Sequence, residues 1–204
     1  MSKNISKNTT RRWGMAVLTA AVCVGSAALT APSAPAAPPT VTRTTSAPSP
    51  HSQFTQAAQA APRISRAQVL ERAKTWLTAN NGRPVPYFQN KYWKGGYRQD
   101  CSGYASMALG LSMPGPNTVQ LKKSAYTRPI AMSQLAPGDL VIKANSNSAD
   151  ERHVVIFDGW ANNTHTVYKS YEQAGGVGTR WKQHSYGVNG RDGYHAYRPV
   201  NITG

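Results

Sequence analysis

Cysteine is almost missing from this chain: 204 residues hold two. That excludes a disulfide scaffold and a multi-thiolate zinc site. Acid is scarce as well, with 8 Asp plus Glu against 23 Lys plus Arg and a formal net charge of +15. Such a balance draws a chain toward anionic polymers such as cell wall, anionic lipid or nucleic acid. Long apolar runs are limited to one, near the N-terminus, which excludes a polytopic membrane protein. No internal repeat is visible. No His/Asp/Glu/Cys cluster has ligand spacing, so neither metal nor cofactor is expected. What the chain does have is aromatic content: four Trp and ten Tyr lie beyond residue 70, enough to build a core.

The single apolar run has the layout of an export signal. Residues 1–12 carry Lys3, Lys7, Arg11 and Arg12 and no acid; Met15 to Leu29 are apolar; Ala34-Pro35-Ala36 gives a small-residue cleavage pattern. A secretory signal peptide over 1–36 is therefore expected, hence a secreted protein, free or associated with a cell wall. Arg11-Arg12 leaves general secretion and twin-arginine export both open. Residues 31–62 are mostly Ala, Pro, Ser, Thr and Gln, with seven prolines and one formal charge, Arg43. Such composition buries too little apolar surface to offset its ordering entropy, so 37–62 is expected to be a disordered linker. Residues 63–204 have the size of one domain and carry 18 basic residues against all 8 acids, a net +10. A monomer is expected, with no stable membrane insertion once the signal is removed.

Signal removal takes Cys23 with it and leaves Cys101 as the sole thiol. An odd Cys in a secreted protein is an intermolecular bridge or a reactive group. Asp100 is a good N-cap and Ser102 to Leu111 reads as a buried helix, so Cys101 stands at the helix start. The unpaired amides and the helix dipole there favour negative charge on a nucleophile and on an oxyanion. A Cys nucleophile needs an imidazole. Of five His, His153 is distinguished by opening the apolar run Val154-Val155-Ile156-Phe157, a strand that holds it rigidly at a cleft. The preceding Leu135-Ala136-Pro137-Gly138-Asp139-Leu140-Val141-Ile142 reads as a turn and another strand, with Asp139 a turn residue rather than an acid catalyst.

A third residue should orient the imidazole. Asn162-Asn163 suggests a two-residue hairpin loop pairing Ala161 with Thr164, which carries the register back to His153 opposite Glu172. His165 would then face Trp160, roughly 23 Å from His153 at about 3.3 Å per residue, too far to orient it. Gln173 replaces Glu172 only if the register slips by one, which turns it to the other face.

These pieces resemble the NlpC/P60 superfamily of papain-like cell-wall cysteine peptidases. Asp100-Cys101-Ser102-Gly103-Tyr104, Leu135-Ala136-Pro137-Gly138-Asp139-Leu140-Val141 and His153-Val154-Val155-Ile156-Phe157 match in order and spacing, and the match covers 63–204. The resemblance implies an α+β papain-like fold in which a Cys-bearing helix packs on an antiparallel sheet carrying the His. It also implies thiol-dependent hydrolysis of amide bonds in peptidoglycan stem peptides. Many members place a second His where His165 stands; Tyr171-Glu172-Gln173 is more similar to the Glu-bearing CHAP amidases. The family uses a Tyr near the oxyanion, matched here by Tyr87, with Tyr92 and Tyr97 open alternatives.

In the rest of the domain, Ser65 to Ala79 reads as a helix with a Ser65/Gln68 capping box and one apolar face of Val69, Leu70, Ala73, Trp76 and Leu77. Lys91 to Arg98 interleaves bases and aromatics and is expected to line the cleft; no nucleic-acid partner is expected. Gly175 to Gly178 reads as a flexible connection, and Tyr194 to Val200 as a closing strand. The expected activity is a peptidoglycan amidohydrolase or endopeptidase with a Cys101–His153–Glu172 triad. An acyl transferase or protein deamidase, or a non-catalytic wall-binding or toxin-like module, would share these features.

Overall fold

The computed structural model describes residues 61–204. The expected leader (1–36) and nearly all of the expected linker (37–62) lie outside the described residues. Among the described residues no helix is long and apolar enough to cross a membrane.

The described chain opens with a short strand β1 (Ile64–Ser65) and helix α1 (Arg66–Thr75). Ser65 and Gln68 form the capping box: Ser65 Oγ accepts from the Gln68 amide at 3.2 Å, and Gln68 Oε1 accepts from the Ser65 amide at 2.9 Å. Val69, Ala73 and Trp76 are buried, as the periodicity requires. The helix stops at Thr75, four residues before the expected end. The Trp76 carbonyl turns aside to accept from the Val85 amide at 2.9 Å, a tertiary contact that local propensity does not encode.

Helix α2 (Cys101–Leu109) is capped by Asp100, whose side chain accepts from the Gly103 amide, and ends at Gly110 in the left-handed region. All nine of its residues are buried. A helix apolar on every side must be covered on every side. One flank meets α1, where Trp76 and Tyr104 rings lie 5.4 Å apart and the Tyr104 hydroxyl donates to the Ala73 carbonyl at 2.8 Å. Another packs in the same core as Leu140, Ile142, Val154 and Ile156 of the sheet. A single turn, α3 (Thr118–Leu121), follows.

The sheet contains β2 (Thr127–Pro129), β3 (Leu140–Lys143), β4 (His153–Trp160), β5 (Tyr168–Ala174), β6 (Gly178–His184) and β7 (Tyr194–Pro199), in the order β2-β7-β3-β4-β5-β6, antiparallel throughout. A last strand, β8 (Ile202–Thr203), pairs in parallel with β1. The expected strand over 194–200 is β7, placed between β2 and β3. Successive residues of β3 and β4 alternate between two cores: Leu140, Ile142, Val154 and Ile156 with the helices, and Val141, Val155 and Phe157 with Tyr168 and Ala196 on the other face. The molecule is thus α+β with the Cys-bearing helix against an antiparallel sheet.

Asp139 is fully buried at the head of β3. It accepts from the Ala136 amide at 3.0 Å and pairs with Arg66 at 3.1 Å and Arg198 at 2.8 Å. A carboxylate survives burial only when paired and hydrogen-bonded. Its role is to join the turn, α1 and β7.

Candidate active site

Cys101 is the first residue of α2 and is buried. Of the helix's leading amides, Gly103 is taken by Asp100 Oδ1 at 2.6 Å. The Cys101 and Ser102 amides precede the intrahelical ladder and have no partner within it. Thr118 Oγ1, at the start of α3, lies 3.9 Å from Cys101 Sγ.

His153 begins β4 and sits on the face of Val155 and Phe157, opposite the helices. Cys101 lies close to it at the end of the sheet, near enough for its charge to act on the imidazole. His153 Nε2–H donates to Glu172 Oε2 at 2.7 Å, which leaves Nδ1 as the ring's basic nitrogen. Burial pulls the imidazole pKa down, but the hydrogen bonds and negative charge of Cys101 and Glu172 outweigh it and raise the value to about 9. Tyr186 and Tyr194, stacked on each other with centroids 4.4 Å apart, present edges to the imidazole.

Glu172 lies beside His153, but in a different register from the expected one. The loop after β4 is longer than two residues: the Ala161 amide donates to the Val167 carbonyl at 2.9 Å, and Trp160 pairs with Tyr168. Asn162 builds this loop by accepting from the Thr166 amide at 3.0 Å, and His165 takes the positive φ of 55°. A bulge between Phe157 and Gly159 takes one residue back, so Glu172 is opposite Val155 rather than His153. The net displacement is even. Glu172 keeps its face and reaches His153 diagonally.

Three groups besides the backbone address Glu172, and only His153 was foreseen. Arg180 Nε donates to Oε1 at 2.6 Å. His184 Nε2 lies 3.1 Å from Oε1, close but off the line of a well-aligned hydrogen bond. Burial would raise the Glu172 pKa, yet the contacts with His153, His184 and Arg180 reverse this and hold it far below the usual carboxylate range. Position 180 is eight residues on and faces Glu172 across the β5–β6 pair. A Glu–Arg cross-strand pair is visible in a sequence only once that hairpin's register is known.

Gln173 points to the other face, fully buried. Its amide donates to the Val85, Pro86 and Gln99 carbonyls at 3.3, 3.1 and 3.2 Å, and its oxygen accepts from Thr179 Oγ1 at 2.7 Å. It fastens the segment that carries Tyr87. His165 stacks on Trp160 at the far end of β4, with centroids 4.4 Å apart.

Three adjoining hollows surround the pair. One, of about 160 Å³, is lined by Cys101, Tyr87, Asn117 and Thr118. A second, of about 350 Å³, is lined by His153, Glu172, Tyr87 and Tyr186. A third, of about 530 Å³, lies beyond His153 against Lys143 and Tyr194. Tyr87 borders the first two, and burial together with the charge of Cys101 pushes its phenol up to about 12. Tyr92 is exposed, and the Tyr97 hydroxyl donates to the Leu111 carbonyl at 2.6 Å. The 91–98 segment does not line these hollows. Trp93 and Tyr97 pack on the core, and Arg98 turns inward onto Asp100, Ser102 and the Gly115 and Pro116 carbonyls.

No family model and no curated protein sequence matches the chain. Solved structures do. Its structural neighbours are NlpC/P60 family proteins. One, similar to a lipoprotein of the NLP/P60 family from Staphylococcus aureus, shares 20% identity over 68% of this chain with a TM-score of 0.44. Another, an NlpC/P60 family protein from Bacillus cereus, shares 16% identity over 69% with a TM-score of 0.47. The match spans 42% of each neighbour's length.

Proposed function

We propose that this protein is an exported thiol amidohydrolase that cleaves amide bonds in the peptide stems of bacterial peptidoglycan. The observation that carries this reading is the His153–Glu172 hydrogen bond at 2.7 Å beside Cys101 at a helix tip, close enough for the sulfur's charge to act on the imidazole. A buried thiol close to an imidazole that a carboxylate orients is the arrangement nucleophilic acyl chemistry requires.

His153 takes the Cys101 proton through Nδ1, and the sulfur attacks the carbonyl carbon of the scissile amide. The oxyanion forms beside the Cys101 amide. Tyr87, whose raised pKa keeps its phenol protonated near neutrality, is placed to donate a second hydrogen bond. The C–N bond breaks as His153 returns the proton to the leaving amine. Water, deprotonated by the same imidazole, then hydrolyses the thioester. Glu172 fixes the ring and compensates its charge. The N-terminal leader composition and the basic domain support export to, and retention at, an anionic wall.

The test is mass spectrometry of purified peptidoglycan after digestion. The protein is expected to release peptides bearing new amine and carboxyl ends, and Cys101→Ala to release none. Continued release by that variant removes the thiol mechanism. Amine adducts in place of free acids, when amines are added, assign the site to a transferase instead.

A further inference from the structure

Arg152, the residue before His153, belongs to no part of the mechanism above. It lines all three hollows, so it stands where the space beside Cys101, the space beside His153 and the polar hollow toward Lys143 join. Its hydrogen bonding is incomplete. Nη1 donates to the Asn147 carbonyl at 3.1 Å, whereas Nε is buried and meets no acceptor. A guanidinium has five N–H donors in a planar fork, so most of its capacity is unused.

Of the acids that line these hollows, Glu151 is exposed and forms no ion pair with Arg152, and the others are engaged elsewhere. Asp100 faces Arg98 at 3.1 Å, Asp150 accepts from Gln89 at 2.9 Å, and Glu172 is held by His153 and Arg180. Among the described residues no carboxylate lies within ion-pair distance of Arg152. A permanently charged group in a cleft, short of an acceptor and next to the reacting atoms, is matched by an anion the substrate brings. The fork geometry suits a planar carboxylate.

We infer that Arg152 is the specificity residue of this site and binds a free carboxylate close to the scissile amide. The substrate class narrows to acidic peptides. Amidation of that carboxylate, which leaves its shape nearly unchanged, would mark a substrate for rejection, because the guanidinium would then lose its charged partner. The inference rests on the hydrolase reading for its substrate, but its test does not require turnover.

Full-length protein carrying Cys101→Ala is titrated calorimetrically with the synthetic tetrapeptide L-alanyl-γ-D-glutamyl-L-lysyl-D-alanine, and with versions in which each carboxylate in turn is a carboxamide. Amidating one of the two is expected to weaken binding at least about tenfold, a typical size for losing a charge-assisted bond. In protein that also carries Arg152→Gln, that discrimination is expected to shrink to near unity, while Arg152→Lys keeps part of it. Equal binding of all versions overturns the inference, as does discrimination that survives in the Gln protein. The first comparison uses only ligand changes and stands even if the Arg152 variants fold poorly. Failure of the hydrolase reading is separately visible: Cys101-intact protein would then bind the peptide with carboxylate preference and leave it uncut.

Discussion

Glu172 is held by more groups than orienting one imidazole demands. Arg180 and His184 approach Oε1 while His153 takes Oε2, so each carboxylate oxygen has its own task. Glu172→Gln keeps the size but removes the charge, and it is expected to lower kcat/KM by about 10²–10⁴-fold, the range seen when an orienting carboxylate is neutralised. The same change is expected to lower the His153 pKa from about 9, read by NMR titration of the imidazole. An unmoved titration would mean that Glu172 serves packing alone. The two shifted groups, Glu172 and His153, also impose a pH dependence on stability. The Glu172 pKa is depressed in the fold, so its contribution is present above the unfolded value near 4.5 and fades as pH falls through the lower folded value. The His153 pKa is raised, so its contribution is complete below 6.5 and fades as pH rises through about 9, by an amount on the order of 3 kcal/mol at most. Melting temperature should therefore be highest between about 4.5 and 6.5 as far as these groups decide it, and the Glu172→Gln profile should be flatter on both sides.

Among elements, the β5–β6 hairpin is what brings the residue-scale chemistry together. Residues 175–178 make a tight turn packed under the Tyr87 segment rather than a flexible connection. Gly178 has a φ of 89°, and a Cβ there would lie 2.5 Å from the Val85 carbonyl oxygen. Gly176 has a φ of 74° with open space around it. Ala at 176 is thus expected to cost only the backbone strain, about 1 kcal/mol, and Ala at 178 that strain plus displacement of the Val85–Tyr87 segment, about 2–3 kcal/mol with a matching loss of turnover. Equal melting temperatures for the two variants would sink this account. The contrast also marks where sequence reasoning ends. Helix α2, its Asp100 cap and the apolar strand after His153 follow from local pattern, because N-cap chemistry and hydrophobic runs are written in consecutive residues. Glu172 lies beside His153 despite a misjudged loop, because an even register error preserves the face of a strand. Gln173 acquires its role from a segment far away in sequence, Arg180 and His184 theirs from the register of the β5–β6 hairpin, and Arg152 its own from the hollows it borders, none of which spacing or periodicity reports.

Over the whole molecule the charge is lopsided in a way the paired acids accentuate. Asp100, Asp139 and Glu172 are each turned onto arginines, so three of the eight acids are neutralised at close range and contribute little to the field outside. Residues 63–204 carry a net +10, and a linker with one formal charge does nothing to offset it. Attraction of such a surface to an anionic polymer acts over a distance that shrinks from about 10 Å at 0.1 M salt to about 3 Å at 1 M. The site chemistry, by contrast, runs through buried contacts that salt hardly reaches. Two dependences should therefore separate in one protein. Binding of the Cys101→Ala protein to intact peptidoglycan carrying anionic polymers is expected to fall at least about tenfold between 0.1 and 1 M NaCl, whereas hydrolysis of a short soluble stem peptide by the Cys101-intact protein should change by less than about threefold. Loss of both together would place the salt effect at the carboxylate held by Arg152 rather than on the outer surface. Loss of neither would mean that the positive charge has no part in holding the protein to its polymer.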